Sequence, residues 1–235
     1  MAGSDHIWAV MPAAGRGTRF GGGIPKQYLD IAGRPLIAHA LDALLSHPGV
    51  GGAVVALAAD DEYWPGWTLM HGKPVLRCAG GGERADSVLA ALRALPAEVT
   101  GDSLVLVHDA ARPNLRGDDI DRLIAAAQAH ADGALLAAPV RDTLKRADDR
   151  LRIAATEPRD GLWRALTPQA FRRAALTAAL ESARDARVVV TDEAMAMERM
   201  GAKPLLVEGR EDNLKVTTAA DLALAEYLLS LRDPR

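Results

Sequence analysis

The chain of 235 residues contains one cysteine and no excess of basic residues. Because Cys78 has no second thiol, an internal disulfide and a cysteine-based zinc site are excluded, and we expect a buried, unreactive strand residue. Lys and Arg number 28 and Asp and Glu 31, so the net charge is −3. This balance does not favour a nucleic-acid-binding protein.

Long apolar segments are also missing. No stretch approaches the roughly 18 consecutive apolar residues that a membrane-spanning helix needs. The apolar run at residues 7–11 is short and ends at Pro12, so it does not have the form of an export signal. We therefore expect a cytoplasmic protein. The length and the lack of a Ser/Pro-rich linker predict a single domain over residues 1–235.

Glycine is concentrated directly after the first predicted strand. Residues 12–26, PAAGRGTRFGGGIPK, combine several glycines with the cations Arg19 and Lys26. Glycine lets several backbone N–H groups approach one oxyanion, so the loop predicts a triphosphate site, with a simple chain reversal as the alternative. The chain has no P-loop sequence. Phe20 stands where the dinucleotide fingerprint requires a small residue.

Short aliphatic runs alternate with helical patterns, which predicts a mostly parallel, Rossmann-like α/β sheet flanked by helices. The predicted strands are residues 6–11, 53–58, 74–78, 104–107, 133–137, 187–190 and 204–207. The predicted helices are residues 35–46, 83–95, 118–131, 171–183, 192–200 and 218–231.

Residues 143–167 depart from this rhythm. They lack a long apolar stripe but alternate at Leu151, Ile153 and Ala155, which predicts a protruding β-arm. Such an arm buries little surface by itself and would gain burial by packing on a second subunit. An ordinary exposed hairpin is the alternative.

Ligands of open parallel sheets bind beyond the carboxyl ends of the strands. Candidate binding residues are therefore those in the glycine loop, in a second glycine turn at 80–87 and in the polar segments 108–113, 139–143 and 191–193. Asp109 suits three roles: a metal ligand, an acceptor for substrate hydroxyls, or a salt-bridge partner at a helix start, whereas His108 is expected to be a packed strand-end residue. The absence of a Ser/His/Asp or Cys/His set weighs against covalent catalysis.

Eight motifs follow one another along the chain. They are PAAGxGxR from Pro12, PKQYL (25–29), GGxERxDSV (80–88), VHDAARP (107–113), APVRDT (138–143), LTPQ (166–169), TDEA (191–194) and VEGRxDNxKVT (207–217). Together they resemble the 2-C-methyl-D-erythritol 4-phosphate cytidylyltransferase family from about residue 7 to residue 228. The first motif alone would indicate only the wider nucleotidyltransferase superfamily.

The resemblance implies transfer of a cytidylyl group from CTP to methylerythritol phosphate, with release of pyrophosphate, in non-mevalonate isoprenoid biosynthesis. It also implies a homodimer in which each arm reaches the partner's site. Because a phosphate brought against a triphosphate concentrates negative charge, we expect Mg²⁺ as the divalent cation. Two alternatives stay open. One is a cytidylyltransferase for ribitol 5-phosphate or a related polyol phosphate, and the other is a regulatory module that binds nucleotide without turnover.

The resemblance further assigns the site residues. Arg19 and Lys26 would stabilise the triphosphate, and Arg159 and Lys215 would position the sugar phosphate. The CTP contacts fall on Pro12, Ala13, Ala14, Gly15, Gly81 and Ser87, and the sugar-phosphate contacts on Asp109, Arg112, Thr143, Thr167 and Thr191. Asp109 is also the candidate metal ligand. A regulatory module would not need the acceptor-aligning cations, so their presence disfavours it.

Overall fold

An eight-stranded sheet with helices on both faces forms the centre of the protein, whose computed structural model describes residues 7–15 and 23–232. The strands are β1 (Ile7–Ala13), β2 (Asp30–Ile31), β3 (Arg34–Pro35), β4 (Val50–Leu57), β5 (Leu69–Met70), β6 (Lys73–Ala79), β7 (Leu104–Val107), β8 (Ala134–Pro139), β9 (Leu144–Ala147), β10 (Ile153–Glu157), β11 (Trp163–Arg172) and β12 (Leu205–Glu208). The helices are α1 (Leu36–Leu45), α2 (Arg84–Arg93), α3 (Gly117–Ala129), α4 (Arg173–Asp185), α5 (Glu193–Arg199) and α6 (Ala219–Ser230), with a short 3-10 helix at Lys26–Tyr28.

The main sheet has the strand order β12-β8-β11-β7-β1-β4-β6-β5. Neighbouring strands run parallel except at β11, which is antiparallel to β7 and β8, and at β5, which is antiparallel to β6. The expectation of a mostly parallel α/β sheet is therefore confirmed. Six of the seven predicted strands occur: that at 104–107 has its predicted bounds, and the other five have shifted ends. Residue 6 of the first predicted strand lies outside the described residues. Each predicted helix occurs.

Both faces of the sheet are covered, which explains why β1 is an almost continuous apolar run. Ala9 and Met11 pack with α1 and α3 on one face, whereas Trp8 and Val10 pack with α2, α4 and α5 on the other. Helices on both faces leave the carboxyl edge of the sheet as the place where loops from several strands meet.

The predicted strand at residues 187–190 is wrong. These residues end α4 instead: Arg187 adopts a positive φ of 55°, and the Val188 N–H donates to the Ala183 carbonyl at 2.9 Å. That hydrogen bond is typical of a helix C-terminus. The β-branched run then splits, since Val190 is buried while Val189 is 72% exposed. This apolar segment therefore follows the C-terminus of α4 and does not form a strand of the sheet.

The sequence pattern misses β11. It assigns these residues partly to the arm and partly to the start of a helix, which in fact begins at Arg173. Leu166 to Phe171 are buried because β11 lies between β7 and β8 with both its faces covered. The buried polar side chains of Thr167 and Gln169 hide the strand from a pattern search, because they interrupt its apolar run.

The predicted arm at 143–167 contains an antiparallel hairpin of β9 and β10. The predicted arm is five residues too long, because residues 163–167 belong to β11 of the main sheet. Leu151 is 90% exposed and Ile153 69% exposed, so the arm carries apolar side chains that the protomer does not cover. Packing on a second subunit remains a prediction, as does the single-domain interpretation.

Two smaller expectations have clear outcomes. Cys78 lies in β6 as expected but is only partly buried, and burial raises the pKa of its thiol. Among the helices of the described residues, none has the length and apolar character required to cross a bilayer.

Candidate functional site

A cleft of about 200 Å³ lies at the carboxyl ends of β1 and β7. Its wall includes nine of the residues assigned from the sequence: Pro12, Ala13, Ala14, Gly15, Lys26, Gly81, Ser87, Asp109 and Lys215. These residues come from five separate segments of the chain. Their convergence at one edge of the sheet is what the reasoning from strand ends predicted.

A larger cavity, of about 870 Å³, lies between α1, the start of α3 and the end of α6. It includes none of the residues assigned from the sequence. Size therefore does not locate the functional site in this protein. The smaller cleft is the better candidate because it combines glycine turns, two lysines and a buried carboxylate.

The 3-10 helix holds Lys26 at one side of the cleft. The buried Gln27 side chain donates from Nε2 to the Ala13 carbonyl at 2.8 Å, which fastens this helix to the end of β1. Lys26 Nζ donates to the Val216 carbonyl at 3.3 Å. Arg19, the other cation assigned to the triphosphate, lies outside the described residues.

The second glycine turn forms another part of the wall. A Cβ at Gly80 would lie 2.6 Å from the Ala14 Cβ and 2.8 Å from Ser87 Oγ, and a Cβ at Gly81 would overlap the Asp86 Cβ. Only glycine permits this approach without displacement of its neighbours. The Gly81 N–H donates to Ser87 Oγ at 3.1 Å, so the Ser87 hydroxyl helps to shape the turn.

Asp109 binds three cations directly after β7. Its Oδ1 lies 3.0 Å from Arg84 Nε, and its Oδ2 lies 2.9 Å from Lys215 Nζ and 3.5 Å from Arg112 Nε. Burial would raise the pKa of the Asp109 carboxyl, but Arg84, Lys215 and Arg112 together hold it well below its usual range. Asp109 is therefore ionised at neutral pH.

Arg84 joins Asp109 to the start of α5. Its Nη1 and Nη2 lie 2.5 Å and 3.0 Å from the two carboxylate oxygens of the fully buried Glu193. Burial would lower the pKa of the Arg84 guanidinium, but Glu193 and then Asp109 raise it overall. A bidentate pair fixes the plane of the guanidinium as well as its position. Arg84 therefore fixes Asp109 with respect to α5.

His108 and Thr167 support Asp109 from within the protein. The Thr167 Oγ1 accepts a hydrogen bond from the Asp109 N–H at 3.1 Å and lies 2.9 Å from His108 Nδ1. On the other side of the imidazole ring, His108 Nε2 lies 3.0 Å from the Arg112 carbonyl. Burial lowers the pKa of His108 to about 4. Neutral His108 then donates from Nε2 to the Arg112 carbonyl and accepts a hydrogen bond from the Thr167 hydroxyl at Nδ1, which assigns it a structural role, as expected.

Five assigned residues do not line the described wall of the cleft. Thr167 and Arg112 are buried next to Asp109, and Arg112 donates from Nη1 to the Asn213 carbonyl at 2.7 Å. Arg159 is exposed on the arm and donates to the Arg141 carbonyl. Thr143 and Thr191 are also exposed. Substrate contacts by these five residues remain predictions.

Arg84, Glu193 and Asn213 are among the residues of the site that had no role assigned from the sequence. Each stands inside one of the eight motifs, so a signal was present. Their roles depend on partners far along the chain, since Arg84 and Glu193 are 109 residues apart. A local pattern does not reveal such a pair.

The described residues do not fit a metal ion at Asp109. Arg84 and Lys215 already engage its two oxygens, and no group of three or more His, Cys, Asp and Glu in the described ranges could hold a metal ion. Protein-bound Mg²⁺ takes its ligands from carboxylates, water and substrate phosphates. Asp109 as a metal ligand would require loss of its ion pairs, so no step is assigned to the metal.

The mostly parallel sheet, with a glycine turn and two lysines at its carboxyl edge, has the fold of the nucleotidyltransferases, as similar solved structures show. Its fold is similar to the crystal structure of the Francisella tularensis 2-C-methyl-D-erythritol 4-phosphate cytidylyltransferase, with a TM-score of 0.81 and 32% identity over 95% of this chain and 99% of that one. The Thermus thermophilus enzyme of the same name gives a TM-score of 0.77 at 32% identity, over 95% and 98% of the two chains.

Sequence comparison identifies the family. The model for IspD, 2-C-methyl-D-erythritol 4-phosphate cytidylyltransferase, matches residues 7–231. Proteins of that name from Xanthomonas campestris pv. campestris (strain 8004) and Stenotrophomonas maltophilia (strain K279a) are 63% and 62% identical, over 98% and 97% of this chain and 87% and 99% of theirs. The chain belongs to the 2-C-methyl-D-erythritol 4-phosphate cytidylyltransferase family.

Proposed function

We propose that this protein transfers the cytidylyl group of CTP to 2-C-methyl-D-erythritol 4-phosphate, giving 4-diphosphocytidyl-2-C-methyl-D-erythritol and pyrophosphate in isoprenoid biosynthesis. Membership of the family supports the reaction. The observation that carries the proposal is the cleft at the carboxyl edge of the sheet, whose wall contains Gly15 and Gly81 together with Lys26 and Lys215. Such a wall supports binding of a nucleotide and a phosphorylated acceptor in one place.

The reaction needs no protein nucleophile. An oxygen of the acceptor phosphate attacks the α-phosphorus of CTP, a new P–O bond forms, and the bond from the α-phosphorus to the bridging oxygen of the β-phosphate breaks. Pyrophosphate leaves with that bridging oxygen. The attacking oxygen is already an anion, so no general base is required, in agreement with the absence of a nucleophile set in the sequence.

The main barrier is repulsion between the acceptor phosphate and the triphosphate. Preorganised cations and N–H donors lower such a barrier because they are already oriented when charge accumulates. Arg19 and Lys26 are proposed for the triphosphate, and Lys215 for the acceptor. The narrow turn at Gly80 and Gly81, with Ser87 beneath it, is proposed to bind the cytidine.

The acceptor side of the cleft is incomplete within the described protomer, since Arg159 lies exposed on the arm and does not line the cleft. The exposed apolar residues Leu151 and Ile153 on the arm support a homodimer in which a second subunit covers them and receives Arg159. An exposed apolar hairpin gains stability when a partner covers it. Cytoplasmic location and the absence of nucleic-acid binding stay predictions.

Pyrophosphate release from purified protein tests the function. CTP is offered with methylerythritol phosphate or ribitol 5-phosphate in parallel, with and without Mg²⁺, and the product is identified by phosphorus NMR. We expect a diphosphate product with methylerythritol phosphate. Turnover with ribitol 5-phosphate alone would replace the proposed acceptor, and CTP binding without turnover of either would indicate a regulatory module.

A further inference from the structure

The connection between β12 and α6 passes directly beside the cleft, and we call its residues 213–216 the crossing segment. Asn213 at its start has no exposed surface. Its side-chain Nδ2 donates to the Thr167 carbonyl at 2.7 Å, and its own carbonyl accepts from Arg112 Nη1 at 2.7 Å. These two bonds fasten the crossing segment to β11 and to the loop after β7.

The rest of the crossing segment contacts both lysines of the cleft. Lys215 belongs to the segment, and its Nζ lies 2.9 Å from Asp109 Oδ2. The next residue, Val216, donates its N–H to the Ala111 carbonyl at 2.8 Å and accepts at its carbonyl from Lys26 Nζ at 3.3 Å. A displacement of this short segment would therefore move the Lys215 ammonium and change the surroundings of Lys26.

The contacts of Asn213 close a ring. Asn213 bonds Thr167, the Thr167 hydroxyl accepts from the Asp109 N–H, and the Asp109 carboxylate binds Lys215, two residues after Asn213. A ring of this kind restrains each member more than a single contact would, because no member can shift alone.

We propose that Asn213 is a positioning residue for the reaction and acts through Lys215. This inference rests on the proposed function. The side-chain amide fixes the start of the crossing segment and so determines where Lys215 meets the acceptor phosphate. A carboxylate at this position would face the Thr167 carbonyl as a buried, unpaired charge, and alanine would leave that carbonyl without the donor it now has.

A matched pair of variants tests the position. Asn213→Ala should lower kcat/KM for methylerythritol phosphate by about tenfold to a hundredfold, since a displacement of about 1 Å near the reacting groups has effects of that order. Asn114→Ala is the control, because Asn114 is equally buried and also donates from Nδ2 to a backbone carbonyl, that of Ala225. Its contacts lie at α6 and not at the cleft. Equal losses in both variants would overturn the proposal.

A double-variant cycle separates positioning from general damage. If Asn213 acts through Lys215, then Asn213→Ala should add no further loss once Lys215→Met is present. A structural defect would instead multiply the two losses. Multiplied losses would therefore overturn the proposal.

A second variant and a second measurement cover poor folding and failure of the proposed function. Asn213→Leu keeps the number and branching of the side-chain heavy atoms. It removes the Nδ2 donor together with the Oδ1 acceptor, which has no hydrogen-bond partner in the described part of the chain. The rate of Lys215 acetylation, followed by peptide mass spectrometry, needs no turnover. Both variants should label Lys215 faster than the parent protein, and equal rates would overturn the proposal even if the parent protein proves inactive towards methylerythritol phosphate.

Discussion

The ammonium of Lys215 lies 2.9 Å from the carboxylate of Asp109 across the acceptor side of the cleft. Asp109 also binds Arg84 and Arg112, and these two arginines balance the charges of Asp109 and Glu193 without Lys215. Lys215 is 39% exposed, whereas Asp109 is buried. An arriving phosphate can therefore attract Lys215 without leaving Asp109 as an isolated buried anion.

Lys215→Met tests this arrangement because it keeps the length of the side chain and removes its charge. Loss of one preorganised charged donor costs about 3 kcal/mol in the transition state, or roughly a hundredfold in rate. We expect kcat/KM for the sugar phosphate to fall by that amount, while calorimetry shows CTP affinity unchanged within error. Lys203→Met removes an exposed lysine outside the cleft and serves as the control. Full turnover in Lys215→Met would remove Lys215 from the mechanism.

The second glycine turn predicts a difference between two adjacent alanine variants. A Cβ at Gly81 would overlap the Asp86 Cβ, whereas a Cβ at Gly82 would meet nothing within 4 Å. Gly81→Ala should therefore lower the free energy of unfolding by about 1–3 kcal/mol, the usual cost of overpacking, and should weaken CTP binding. Gly82→Ala should change the free energy of unfolding much less. Denaturant melts and calorimetry measure both quantities, and equal destabilisation would contradict the steric explanation.

The part of the site that the sequence predicts is the part built from strand ends. The glycine loop after β1, the turn before α2 and Asp109 after β7 follow short apolar runs, and the geometry of a parallel sheet brings such residues together. The order of strands and loops along the sequence is sufficient to infer that these residues meet at one edge of the sheet. This inference does not extend to Lys215, which only the family resemblance assigned.

The remaining features depend on contacts between distant residues. The antiparallel strand β11 is not predicted because its buried Gln169 bonds the Asp192 side chain and the Ala194 N–H, partners that no local pattern reveals. The pair of Arg84 and Glu193 is hidden for the same reason. Residues 187–190 show the reverse error, a strand that is predicted but does not form. The hydrogen bonds that end α4 outweigh the β-branched character of this segment.

Because His108 is buried in its neutral form, we expect the protein to lose stability in mild acid. Its pKa falls from 6.5 to about 4 on folding because burial disfavours the charged form. Between these two pH values the unfolded chain binds a proton at His108 that the folded protein excludes. The free energy of unfolding is therefore highest above pH 6.5 and declines as the pH falls towards 4. The full effect is about 3 kcal/mol. Half-buried His39 has a lowered pKa as well and adds to the same trend.

Denaturant melts at several pH values measure this effect, with His108→Gln as the comparison. Glutamine retains a donor and an acceptor but does not titrate, so its free energy of unfolding should depend less steeply on pH between 6.5 and 4. Asp109 does not obscure this range. Its lowered pKa contributes stability that is lost only as the pH falls below the unfolded value of 3.8. Identical slopes in the two proteins would exclude His108 as the cause.

If the arm reaches a partner subunit, co-expression of two inactive variants should restore part of the activity. If Arg159 acts in the cleft of a second subunit, a dimer of one Arg159→Ala chain and one Lys215→Met chain contains one intact site and one site that lacks both cations. Random pairing makes half of the dimers mixed, so co-expression should give about a quarter of the parent activity. Each variant alone should be nearly inactive. Arg159→Ala should also reduce turnover much more than CTP affinity. Activity no greater than the sum of the separate variants would mean that Arg159 serves its own protomer or does not contribute.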